Sequence, residues 1–233
     1  YNFTSQDSRW QGKVYHHQSF SEKQRTNAFA NGFSIMYSVL KYTFRWAHDW
    51  VGNGYDAEAG FVPRKDFLRI NPTFGWSFYP RTKRVNRYSV GLALEQYNMP
   101  NVGVTDRTFG PFISVAFQNS ARMLLSVNQN YTYLFSDFDA LRSNGKLAIL
   151  KRGQGYTYYN ASLNYFTDQR KKIWLFAQPL IGQYYNGSLV SLTGSLNYRY
   201  QPYMALAMNF TYNHIDLPIG KNDVYLLGPR LDW

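Results

Sequence analysis

Large apolar side chains recur at every second position of this chain, over segments much longer than an ordinary strand. Met204, Leu206, Met208, Phe210 and Tyr212 alternate with Ala205, Ala207, Asn209, Thr211 and Asn213. Leu192, Leu196, Tyr198 and Tyr200 alternate in the same way with Ser191, Thr193, Ser195, Asn197 and Arg199. Met123, Leu125, Val127, Tyr131 and Tyr133 stand against Arg122, Ser126, Asn128, Asn130 and Thr132, and Leu68, Ile70, Phe74, Trp76 and Phe78 against Arg69, Asn71, Thr73, Gly75 and Ser77. A period of two is the signature of a strand whose two faces meet different surroundings. We count about 12 such segments of roughly 9–14 residues, whereas strands of globular proteins average nearer 5–6.

Segments of that length suit a tilted strand crossing a bilayer. Aromatic residues make up 19% of the chain, with 21 Tyr and 17 Phe, yet the mean hydropathy is −0.45. No stretch approaches the roughly 18 apolar residues of a membrane helix, so a helical membrane protein is excluded. The expected fold is all-β: an antiparallel up-and-down transmembrane β-barrel. In hydrocarbon every backbone polar group must pair within the protein, so strands can span only in a closed sheet. Rings near strand ends (Tyr42, Trp46, Trp50, Trp76, Phe78, Tyr131, Tyr133, Tyr198, Tyr200 and Tyr212) fit an interfacial girdle. The competing reading, the core of a soluble β-sandwich, suits the uniformly small and polar opposite face less well.

The connections sort into two alternating classes. Short ones are expected near residues 38–40, 80–84, 119–121, 167–171 and 200–203. Longer ones are expected near 20–25, 52–65, 98–106, 136–155 and 217–223, with 185–188 a tight member of that set. The rhythm places short turns on the periplasmic side and long loops outside. Residues 1–233 read as one domain. Tyr1-Asn2-Phe3-Thr4 already reads as strand, so an export leader is expected outside this sequence. With no cysteine, the chain has no disulfide framework and no Cys-based site.

The net charge of +11 is unevenly spread. The short-turn side collects Arg81, Lys83, Arg84, Arg170, Lys171 and Lys172, together with Lys41, Arg87, Arg122 and Arg199, against only Asp7, Asp168 and Asp232. Such a periplasmic basic rim meets anionic lipid headgroups, or attracts a partner protein or anionic solute; the first reading is preferred. The basic residues form no continuous groove with exposed aromatics, so nucleic acid is not an expected partner.

The small polar face predicts a lumen. Ala28, Ala30, Gly32, Ser34, Gly91, Ala93, Ser114, Ala116, Ser126, Ser162, Ser191, Thr193 and Ser195 leave space for water, a loop or a plug. Arg45, Arg69, Glu95 and Arg122 share that face. They form either a constriction that selects solutes by charge or an ion-pair ladder that keeps the lumen shut. Neighbouring His16 and His17 face opposite sides and cannot chelate one ion. His214 and Asp216 fall on one face, but no nucleophile adjoins them in the segment. Asp56, Glu58, Asp137 and Asp139 are spaced as loose calcium ligands without the motif that would make the signal strong, and read as solvated loop acids. No catalytic, cofactor-binding or metal site is expected, and the chain is not expected to be an enzyme.

The most distinctive local sequence is Ala59-Gly60-Phe61-Val62-Pro63-Arg64-Lys65-Asp66-Phe67, where Gly and Pro set a loop's re-entry into a strand. With Phe109-Gly110-Pro111-Phe112, Phe135-Ser136-Asp137-Phe138-Asp139 and the closing run from Val224 to Trp233, it resembles an uncharacterised Bacteroidota outer-membrane β-barrel family. In that family the barrel commonly follows an N-terminal sandwich similar to family 9 carbohydrate-binding modules. The resemblance covers most of the chain and implies a barrel in the bacterial outer membrane. It also implies a portion of a larger barrel, with strands before Tyr1 and after Trp233; the sandwich has no counterpart here. The expected function is a pore or plugged channel for solute passage. The alternative is a non-catalytic structural component of a larger outer-membrane assembly for secretion, barrel insertion or surface glycans. Expected partners are outer-membrane lipid and other outer-membrane or periplasmic proteins, and no cofactor is expected.

Overall fold

The alternating segments become extended backbone along almost their whole length. The computed structural model describes residues 1–20, 26–56, 64–143, 149–200 and 202–233. Among them, 14 antiparallel strands form one sheet and there is no helix. The strands are β1 (Asn2–Thr4), β2 (Trp10–Gln18), β3 (Phe29–Ser38), β4 (Tyr42–Val51), β5 (Phe67–Ile70), β6 (Thr73–Phe78), β7 (Val85–Met99), β8 (Gly103–Phe117), β9 (Arg122–Tyr133), β10 (Gly155–Phe166), β11 (Ile173–Tyr184), β12 (Gly187–Tyr200), β13 (Met204–Leu217) and β14 (Gly220–Asp232). The strands follow one another in chain order as a meander, with β5 and β6 both placed between β4 and β7. Glu22, Glu58 and the Ala59-Gly60-Phe61-Val62-Pro63 stretch lie outside the described residues.

Two expectations about the elements need correction. The run 68–78, read as one strand, is divided by Asn71-Pro72 into β5 and β6. Both keep a single register against β4, with His48 opposite Ile70 and Arg45 opposite Thr73. Proline has no N–H to give the ladder, which interrupts the strand without shifting it. With the three-residue β1, this accounts for 14 strands where about 12 were expected. The strict rhythm of short and long connections also fails. The links after β7 and β13 are tight turns over residues 100–102 and 218–219, because those strands run on into what reads as loop; the link after β11, over 185–186, is tight as expected. Long connections remain after β2, β4 and β9.

By internal contacts the chain divides into two units, Tyr1–Ser77 with Gly91–Phe109, and Phe78–Val90 with Gly110–Trp233. In the first, Trp10, Val14, Tyr42, Phe44, Trp50, Leu68, Phe74 and Trp76 stand exposed on one face. The other face carries Lys13, Tyr15, Gly32, Ser34, Arg45, Ala47, Asp49 and Arg69, with Ala30 and Ala47 buried.

The second unit repeats this pattern on a broader scale. Cross-strand pairing lines up Ile173, Leu175, Pro179 and Ile181 on β11 with Tyr198, Leu196, Leu192 and Val190 on β12. On β13, Leu206, Met208, Phe210 and Tyr212 stand opposite Tyr198, Leu196, Gly194 and Leu192 of β12, and opposite Leu231, Pro229, Leu227 and Tyr225 of β14. Ile181, Leu196 and Leu227 are 62%, 49% and 72% exposed, while Ser191, Thr193, Ser195 and Asn197 opposite them are half-buried. Large apolar groups face out and small polar groups face in, the reverse of a soluble sheet. Leu124, Trp174, Phe176, Leu180 and Leu226 depart from the rule, standing on the small-residue face opposite Asn164, Asn197, Ser195, Ser191 and Thr211.

Small residues here also let strands approach. At Gly110 on β8 a Cβ would run into the Val127 carbonyl of β9. Gly110→Ala is therefore expected to cost about 1–3 kcal/mol, read as a lower urea midpoint for purified protein in mild detergent. An unchanged midpoint would mean that the facing strand yields without strain.

Candidate functional site

The small-residue face of the first unit carries a row of charges built by register. Arg69 on β5 sits opposite Asp49 on β4 and opposite Tyr97 on β7, and Glu95 follows two residues before Tyr97 on the same face. Its guanidinium donates from Nη1 to Asp49 Oδ2 at 2.9 Å and from Nε to Glu95 Oε1 at 2.7 Å. The Tyr15 hydroxyl donates to Asp49 Oδ1 at 2.9 Å, reaching across Gly32, whose missing side chain makes room for the ring. Tyr97 offers its ring to Arg69 at 5.9 Å and to Arg64 at 5.0 Å, and Arg64 pairs with Asp106 at 2.5 Å. One planar fork thus holds two carboxylates, which a point-charge ammonium would hold less well.

The sequence-predicted charges divide between two places. Arg69 and Glu95 are brought into contact, and Arg45 stands on the same face of β4, donating to Asn71 Oδ1 at 2.8 Å. Arg122 is elsewhere. It begins β9 in the second unit and lines a depression with Asp168 and Arg170. Sequence reading did not bring Asp49, Tyr15 or Lys13 to this face. The signal was available in the spacing Arg45-Ala47-Asp49, which puts Asp49 on the charged face of β4.

The basic turns gather at one end of the second unit. Lys83 and Arg84 line a depression with Gln118, Asn119 and Tyr165, and the Arg84 carbonyl accepts from the Gln118 N–H at 2.9 Å. Arg170 is held by Asp168 through Nε and Nη2 at 2.9 and 3.0 Å. Lys172 lies over the Tyr200 ring at 5.9 Å, and the Lys171 N–H closes the turn onto the Asp168 carbonyl. Arg81 belongs to the turn between β6 and β7.

At the opposite end of this unit the connection after β9 folds back onto the small-residue face. Leu141 is fully buried, with Leu134, Ala140 and Leu150, against Ile215 and Leu217 of β13. Tyr156, Tyr184, Tyr185 and Leu189 pack around them, and Asn222 donates to the Leu141 carbonyl at 2.7 Å. This cluster is the main apolar core of the unit. It lies on the face that otherwise presents Ser, Thr and Asn.

The remaining acids and imidazoles have local partners. His214 meets Asp223 across the β13–β14 pair at 2.9 Å, and the Tyr212 hydroxyl donates to the same oxygen at 3.0 Å. The expected partner Asp216 bonds Lys221 at 2.6 Å instead. Directly opposed residues lie closer than residues two apart along one strand, so the cross-strand carboxylate wins. Asp137 bonds Lys151 and the Arg152 N–H, Asp139 bonds Ser143, and Asp56 lies by Lys65. Among the described residues no group of three or more His, Asp or Glu is placed to hold a metal. No known protein family, curated protein or solved structure matches the chain.

Removing the fork leaves two carboxylates side by side without their cation. Arg69→Met is expected to lower stability by about 2 kcal/mol, the figure for charge-assisted hydrogen bonds of partly exposed groups. Additional Asp49→Asn should restore part of that loss, and strict additivity in a double-mutant cycle would show that the pair is not coupled.

At the turn, Arg170 and its backbone N–H hold the Asp168 carboxyl below its ordinary 3.8. A depressed value means that the contact stabilises the turn above the ordinary pKa and is lost as pH falls through the folded one. A carboxyl-carbon titration should place the Asp168 midpoint below 3.8 and move it up in Arg170→Gln. Identical midpoints would remove the pair.

Proposed function

We propose that the chain forms a transmembrane β-barrel, or a portion of one, in a bacterial outer membrane, and that it acts as a partly plugged channel for solutes. The observation that carries this reading is the inverted exposure of the strands. A soluble sheet that presented Leu, Ile, Val, Met and Phe to water on one broad face would forgo roughly 25 cal/mol for each Å² left uncovered. The same face in contact with acyl chains incurs no such cost. Ring pairs near strand ends, including Tyr42 with Trp76 at 5.7 Å and Tyr212 with Tyr225 at 5.0 Å, fit the headgroup level at either border of the apolar band. The basic turns at one end of the second unit fit anionic headgroups of the periplasmic leaflet, which orients long connections outward. The resemblance to the Bacteroidota barrel family agrees in fold and location.

The Leu141 cluster favours a plugged over an open channel. It places apolar side chains where a water-filled lumen would need polar ones.

The test uses the absence of native cysteine. Single cysteines at positions 192, 196, 206 and 208 of the protein in liposomes should take spin labels that collide with lipid-soluble oxygen. Labels at 193, 195, 207 and 209 should collide with a water-soluble nickel chelate instead. Accessibility that alternates with a period of two supports the barrel, and uniform access to water would refute it. In planar bilayers the full-length protein should conduct, more so after deletion of residues 138–150. Bilayers that stay silent in both forms would favour the structural-component reading.

A further inference from the structure

We propose that the depression on the small-residue face of β2–β5 binds the oxyanion head, carboxylate or phosphate, of a small anionic solute between Lys13 and Arg45. The depression encloses about 180 Å³. That is roughly six water volumes, room for one oxyanion head with part of its hydration. Its floor is Ser34 and Ala47, which stand in one cross-strand row with Lys13, while Arg45 projects from β4 two residues before Ala47. Small floor residues let a ligand approach the sheet, and the two cations stand over them.

The electrostatics decide the sign of the ligand. Three cations of the first unit, Lys13, Arg45 and Arg69, share this face with two carboxylates, Asp49 and Glu95. Both carboxylates are committed to Arg69, and Asp49 also accepts from Tyr15. The further acid of this neighbourhood, Asp106, is taken by Arg64. Lys13 and Arg45 are therefore left with neutral partners, the Tyr15 ring at 5.3 Å and the Asn71 amide oxygen at 2.8 Å. Neither partner neutralises a charge. The depression itself is lined by three cations, Lys13, Arg45 and Arg69, against one carboxylate, Asp49. That surplus attracts an anion from solution and disfavours a cation, and the Ser34 hydroxyl offers a further donor.

The proposal rests on reading this face as solvent-filled, and its test separates the two. The full-length protein in detergent is titrated calorimetrically with inorganic phosphate and, separately, with citrate at constant ionic strength. Saturable binding of at least one is expected; phosphate alone or citrate alone identifies the head group. Lys13→Gln should weaken binding about tenfold, and Lys13→Gln with Arg45→Gln should abolish it. Arg45→Lys, which keeps the charge, should retain most of it and serves if the double variant fails to fold. Absence of saturable binding, or equal affinity in Lys13→Gln, overturns the site. Binding with silent bilayers would remove the channel reading and leave the site. Conductance without binding, and with no loss of anion preference in Lys13→Gln, would do the reverse.

Discussion

In an antiparallel ladder a slip of one residue moves every side chain to the opposite face. The constant register from β9 through β14, held even where the β10–β11 ladder skips Leu163 and Asn164, is therefore what keeps the two surfaces apart. Thirteen consecutive pairs join β13 to β14 and another thirteen join β12 to β13, so the apolar row and the polar row never mix over the length of a strand. Where a proline enters, at Pro72 or Pro179, the ladder loses a donor but not its phase: Leu192 still faces Pro179, and Arg45 still faces Thr73. The tight turns at 185–186 and 218–219 fix the phase locally, since each allows a single pairing of the strands it joins.

That phase matters because the two faces differ in chemistry. On β12 and β13 the exposed row is aliphatic and aromatic, and the opposite row is mainly hydroxyl, amide and alanine. A slip by one residue would exchange Thr193 and Asn209 with Leu192 and Met208. Packing between rows is therefore thin: the buried apolar residues of the second unit gather in one place, where Leu141 and Leu150 meet Ile215 and Leu217. Stability of such a sheet comes mainly from backbone hydrogen bonds and cross-strand pairs such as Ser126 with Ser162 at 2.9 Å, not from a central core.

The strands and their faces were legible because period two is a one-dimensional signal: whatever β13 pairs with, Met204 to Tyr212 must alternate. Connections were less legible. Residues 217–223 hold Pro218, Gly220 and two charges and read as loop, yet β13 and β14 carry their hydrogen bonds through Leu217 and Gly220. Charge partners were the least legible of all, because they are set by register between strands distant in sequence. Asp49 lies 20 residues from Arg69, and only the pairing of β4 with β5 puts it directly opposite. His214 illustrates the same limit: Asp216 is close in sequence, and Asp223 is close in space.

The two readings of the inward charges, a ladder that shuts the lumen and a row that selects solutes, turn out to involve different residues. Arg69 with Asp49 and Glu95 is a closed triad. Both carboxylates bond the one guanidinium, and the side chains remain between about a quarter and two-fifths exposed, so the triad braces β4, β5 and β7. Arg45 and Lys13 lie beside it on the same face with no acid left to meet. Bracing by Arg69 engages both Asp49 and Glu95, which leaves Lys13 and Arg45 with neutral partners and is why the proposed oxyanion site falls to those two cations.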